Sequence, residues 1–138
     1  MTRPTTGGCL CGAVRVVGRG EPSRLGLCHC LDCRKHSGTL FFAAAIFPAE
    51  AVTITGETRE YKNRVSRSAA PRAASARHFC PICGSSVYGL WRNEVDLHLG
   101  ALDAPDQFTP TYELWTVRRE AWLPEFGLEG FEGDRIRS

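Results

Sequence analysis

The chain has 138 residues, a formal net charge of +2, and 43% hydrophobic against 23% charged residues. Those fractions sit near globular averages and exclude a disordered tail protein, a fibrous repeat or a coiled coil; the length suits one domain with a real core. So small a charge gives no footprint for a polyanionic partner, and no segment approaches the roughly 18 consecutive apolar residues of a membrane helix.

From the N-terminus, Met1 to Gly8 carries no apolar signal core, so the chain is expected to stay in the reducing cytoplasm. Cys9-Leu10-Cys11-Gly12 is a CxC pair, and Ala13 to Val17 reads as a strand. Cys28-His29-Cys30-Leu31-Asp32-Cys33 packs CxC and CxxC into six residues. It runs into a short helix expected over Leu31 to His36, which Gly38 stops. Strands are expected over Phe41 to Ile46 and Ala51 to Thr55. Between Lys62 and Arg77 come Arg64, Arg67 and Arg72 with no acidic residue, and Ser66 to Ser75 has the small residues and proline of a surface loop. Cys80-Pro81-Ile82-Cys83-Gly84 is a CxxC knuckle, followed by strands over Ser86 to Trp91 and Val95 to Leu99. Strict alternation in the last of these puts Val95, Leu97 and Leu99 on one face, with Asp96 and His98 expected on a solvent side. Gly127 to Ser138 mixes glycine and charge as a frayed tail does. The whole reads as a mainly β chain of short strands forming one domain over residues 1–138.

Seven cysteines in a chain with no export signal point to metal rather than disulfides, because an odd count cannot pair fully and a reducing compartment keeps thiols free. Residues two apart in extended backbone point the same way, so Cys9 and Cys11 can converge on one ion. Cys80 and Cys83 can do so across a sharp turn. Joined, Cys9, Cys11, Cys80 and Cys83 make a four-thiolate zinc site with no open position, which is a structural site. Cys28, Cys30 and Cys33 supply three thiolates and leave a corner for water or substrate, the arrangement of a catalytic zinc. That corner is alternatively closed by His36 or another residue, or the cluster is redox-active and releases zinc on oxidation. Arg34 and Lys35 are expected to lower the proton affinity of the three thiols. His29 and His78 are expected to be structural rather than ligating.

These three motifs, Gly8-Cys9-Leu10-Cys11-Gly12, Cys28-His29-Cys30-Leu31-Asp32-Cys33-Arg34-Lys35 and Phe79-Cys80-Pro81-Ile82-Cys83-Gly84-Ser85, resemble in order and spacing the glutathione-dependent formaldehyde-activating enzyme family, which includes centromere protein V. The likeness continues through Gly56-Glu57, Tyr61, Gly100-Ala101-Leu102-Asp103 and Trp122. Glu113 departs from it, standing where many relatives are expected to carry histidine. The resemblance implies a β-tent fold related to zinc ribbons. It implies structural zinc on Cys9, Cys11, Cys80 and Cys83, and a second, more labile zinc on Cys28, Cys30 and Cys33, which would be the catalytic residues. The implied activity is that of a carbon-sulfur lyase, joining glutathione and formaldehyde into S-hydroxymethylglutathione, so the expected partners are a small thiol and a small aldehyde. The competing expectation is a non-catalytic zinc-stabilised module whose surface meets a protein or nucleic acid, with the arginine-rich loop as the phosphate contact.

Overall fold

A computed structural model describes residues 3–62 and 75–135. The described chain is mainly β, with one short α-helix. Its strands are β1 (Thr5–Gly8), β2 (Arg15–Gly18), β3 (Arg24–Cys28), β4 (Phe42–Pro48), β5 (Val52–Thr55), β6 (Arg59–Lys62), β7 (Ala76–Phe79), β8 (Ser86–Trp91), β9 (Glu94–His98), β10 (Tyr112–Leu114) and β11 (Glu129–Gly130). Helix α1 (Leu31–Ser37) lies between β3 and β4. The strands form a three-stranded sheet, β1-β2-β5, and an eight-stranded sheet, β11-β10-β3-β4-β9-β8-β7-β6. No helix among the described residues is long and apolar enough to cross a membrane.

The centre of the large sheet is buried on both faces, and β4 shows why its sequence is a nearly continuous apolar run. Ala45 and Phe47 join Val14, Val16, Val87, Val95 and Leu97 in the main core beneath the small sheet. Phe42, Ala44 and Ile46 turn the other way and line a cavity beside Cys28. Fully burying side chains such as Phe47 and Leu97 contributes about 1.5–3 kcal/mol each. In the same sheet β10 extends the edge beyond β3 and runs parallel to it, pairing Tyr112 with Gly26 and Leu114 with Cys28. A Cβ on Gly26 would stand 2.3 Å from the Tyr112 ring, so this strand pairing requires glycine there.

The five expected strands are all present, with β5 starting one residue later than expected because Ala49–Ala51 form a 3-10 turn. Two expectations are corrected. His98 is buried, not solvent-facing: β9 sits between β4 and β8, and its second face is covered by Phe42, whose ring meets His98 edge-on at 4.7 Å. Alternation reports which residues share a face but not what lies over it. The C-terminal segment is likewise not frayed through residue 135, since β11 pairs with β10 and the Trp115 indole donates to Asp134 at 2.8 Å. The arginines at 64, 67 and 72, and nearly all of the expected basic loop, lie outside the described residues.

Candidate functional site

The first cluster forms where two turns meet. Gly12 and Gly84 have φ values of 85° and 78°, a left-handed backbone that glycine adopts without strain. Their N–H groups donate to the Cys9 and Cys80 carbonyls, closing both turns, and Leu10 N–H reaches across to Ser85 Oγ at 3.0 Å. The Sγ atoms of Cys9, Cys11, Cys80 and Cys83 all lie within 4.8 Å of one another. Cys11 Sγ is 3.6 Å from that of Cys9 and 3.7 Å from that of Cys80. Thiolates about 2.3 Å from the centre of a tetrahedron are about 3.8 Å apart, so these sulfurs stand at zinc-ligand spacing. Backbone N–H groups of Val14, Ile82 and Cys83 point at the Cys9 and Cys80 sulfurs over 3.2 to 3.5 Å, giving thiolates the donors they need.

The second cluster uses the end of β3 and the start of α1. Cys28 closes the strand, Cys30 is the N-cap of the helix, and Cys33 lies in its first turn. The Cys30 sulfur accepts from Cys33 N–H at 3.3 Å, doing the work of a capping oxygen, and Gly38 ends the helix in the left-handed conformation with φ 71°. The three sulfurs fall within 4.8 Å of one another, and among the described residues no fourth Cys, His, Asp or Glu joins them. His36 does not close the corner; its Nδ1 lies 3.1 Å from Ser86 Oγ.

All three cysteines are buried, at 3%, 4% and 1% exposure, whereas Cys11 of the first cluster is exposed. The three pack with Tyr112 and Leu114 under Phe42, Trp115 and Phe131. Small cavities of about 20 Å³ and 30 Å³ flank Cys33 and Cys28. A larger one, about 330 Å³, opens beside α1 between Ser37, Thr39, Ser86 and His98. Phe42 lines all three and is the wall between the cysteines and the larger space.

Protonation follows the crowding. Hydrogen bonds to Ser85, with the hydroxyl 3.2 Å away, pull the Cys83 thiol down to about 5. The Ala13 backbone favours a Cys11 thiolate, but partial desolvation by its surroundings and the three neighbouring cysteines outweigh it and push Cys11 up to about 11. In the second cluster the Cys30 and Cys33 thiols, with burial, hold the Cys28 thiol well above its ordinary value. A hydrogen bond with Cys28 favours the Cys33 thiolate, yet Cys30 and burial overcome it and the opposing field of Arg77, lifting Cys33 to about 12. Sulfurs this close lose their protons together only around a cation. All seven cysteines are free thiols, and both donor sets suit a soft divalent metal.

The expected source of positive charge is also corrected. Arg34 turns away to Glu120 Oε1 at 2.6 Å and the Arg118 carbonyl at 2.8 Å, and Lys35 is exposed. Arg77 on β7 faces the cluster instead, its two terminal nitrogens 3.9 and 3.8 Å from Cys33 Sγ. Neither His29 nor His78 joins a cysteine cluster among the described residues. His29 Nε2 meets Glu113 Oε1 at 2.8 Å, and Arg119 Nε donates to that same oxygen at 3.4 Å. His78 stacks on Tyr88 and bonds Glu60 and Thr58. Glu113, the departure noted in the sequence, is thus the buried partner of His29.

The sequence profile of the glutathione-dependent formaldehyde-activating enzyme family matches residues 4–118, a span that includes all seven cysteines. Among solved structures, a crystal structure of a Rhodobacter sphaeroides protein is similar with a TM-score of 0.56 and 20% identity, covering 74% of this chain and 91% of that one; the likeness is one of fold. With the profile extending over most of the sequence and the cysteine motifs assembled as described, the chain belongs to the glutathione-dependent formaldehyde-activating enzyme family.

Proposed function

We propose that this protein is a zinc-dependent carbon-sulfur lyase-type enzyme that joins a thiol such as glutathione to an aldehyde such as formaldehyde, acting in the cytoplasm. The observation that carries the reading is the group of three buried cysteine sulfurs with no fourth protein ligand among the described residues. Cys28, Cys30 and Cys33 would hold the reactive metal; Cys9, Cys11, Cys80 and Cys83 would hold a second zinc that ties the N-terminal turn to the middle of the chain. Zinc bound by three thiolates supplies a Lewis acid with one exchangeable position, suited to a thiolate or a carbonyl oxygen.

The residues around the cluster exclude water and fix the ligands. Phe42, Trp115 and Phe131 cover the sulfurs, the Cys33 N–H braces Cys30, and Leu114 pairs with Cys28 from the neighbouring strand. The net reaction adds the thiol across C=O: sulfur bonds to carbon, the π pair moves to oxygen, and the thiol's proton is replaced by one gained at that oxygen. No electron is transferred, so no redox cofactor is needed. Zinc-loaded protein mixed with glutathione and formaldehyde is expected to form adduct faster than the spontaneous reaction. No acceleration with these or with related thiols and aldehydes would remove the proposal.

A further inference from the structure

We propose that Arg77 is the fixed counter-charge of the three-cysteine cluster, the residue that keeps a metal-loaded, net-negative cluster stable in a buried setting. The inference rests on the reading of Cys28, Cys30 and Cys33 as a metal site, and concerns what that site needs from the rest of the chain. Three thiolates and one divalent cation sum to a charge of −1, and a buried uncompensated charge is costly. The four-thiolate cluster sums to −2 but has exposed Cys11 and half-buried Cys83, where water screens the charge. The three-cysteine cluster has no comparable contact with water and needs a cation from the protein.

Arg77 is placed to be that cation. It lies on β7 opposite Gly89 of β8, and the guanidinium and Gly89 line the same small cavity as Cys33. Both terminal nitrogens are within hydrogen-bonding reach of Cys33 Sγ. Its Nε is buried and has no hydrogen-bond partner among the described residues, an arrangement that is unfavourable unless the guanidinium gains elsewhere. The field of Arg77 also acts on the neighbouring His36 and His98, lowering both after burial has done so. A guanidinium stays charged under all physiological conditions, so its contribution is constant.

The test is zinc affinity, read by competition with a chromophoric chelator on wild type, Arg77→Met, Arg77→Gln and Arg77→Lys. Partners outside a metal's ligand set typically change affinity about ten- to hundredfold. The expected result is a loss of that size at the three-cysteine site in Arg77→Met and Arg77→Gln, a smaller loss in Arg77→Lys, and an unchanged first site. Met keeps most of the apolar stem, so an Arg77→Met protein that binds as tightly as wild type would overturn the proposal. Arg77→Lys as weak as Arg77→Met, with the first site intact, would overturn it too. Should the neutral variants lose the first zinc as well, the Lys variant decides alone: a loss of less than about tenfold at the second site supports a charge role, and a greater loss contradicts it. A wild type that takes up only the first zinc would instead remove the metal reading of the cluster, a result distinct from an effect of Arg77.

Discussion

The two cysteine clusters differ in ligand number and in exposure, and the two differences run opposite ways. The four-cysteine cluster is complete but sits at the rim of the main core with one sulfur open to water. The three-cysteine cluster is short of a ligand, yet it is wholly buried behind Phe42. Completeness makes a metal site inert, and burial controls what reaches an incomplete one. With a metal bound, the first cluster would tolerate water because no ligand position would be left to fill, whereas the second would keep one, behind buried surroundings.

Cysteine loss separates the clusters most strongly. Structural zinc contributes about 10–16 kcal/mol of apparent binding free energy, comparable with the whole stability of a domain at about 5–15 kcal/mol. Cys80→Ser, removing a fully buried member of the main core cluster, is therefore expected to abolish cooperative unfolding, as seen by near-UV circular dichroism. Retention of a sharp transition would show that the two turns hold without a metal. Cys30→Ser is expected to keep the fold, shifting Tm by no more than about 5 °C, while eliminating acceleration of adduct formation. Full activity in that variant would place the chemistry elsewhere.

A smaller effect tests burial on the α1 side. His98 is held down to about 3 by desolvation, which outweighs an opposing pull from the Ser86 carbonyl, with Arg77 and His36 adding smaller contributions in the same direction as burial. The unfolded chain takes up the proton near pH 6.5, while the folded chain resists it. Stability from this residue is thus full above pH 6.5 and falls as pH drops toward 3, at up to about 1.4 kcal/mol per pH unit. Urea unfolding of wild type and His98→Gln at pH 7 and pH 5 should show the wild type losing more; parallel losses would place His98 in contact with water. The smallest effect is expected at the tips of the first cluster, where Leu10 and Ile82 are 89% and 75% exposed. Leu10→Ser or Ile82→Ser should change stability by less than about 0.5 kcal/mol, and a larger change in denaturant midpoint would mean that these side chains pack against something.

The clusters were legible in the sequence because their geometry is local. CxC in extended backbone, CxxC on a turn and a following glycine each fix two sulfurs within a few residues, and Gly12 and Gly84 have the positive φ that this requires. The mainly β class and the helix after Cys30 were legible for the same reason, since hydrophobic period and the Gly38 stop act over a turn or two. What surrounds the second cluster was not, because it is set by the packing of distant elements. In sequence Arg77 stands at the end of a basic stretch, yet it reaches Cys33 from β7, while Arg34, adjacent to Cys33 in sequence, is drawn to Glu120. The burial of His98 is not legible in the alternation because β9 is an inner strand with cover on both faces. The only early sign of the β10 network was the odd residue Glu113, which pairs with His29 across 84 positions.

Zinc content per chain tests the central contrast most directly. Metal analysis of purified wild type and Cys30→Ser should give two zinc ions falling to one, with the remaining ion held by Cys9, Cys11, Cys80 and Cys83. An equal zinc content in the two proteins, or a wild type with a single ion that Cys30→Ser loses, would contradict the division into one closed and one open site.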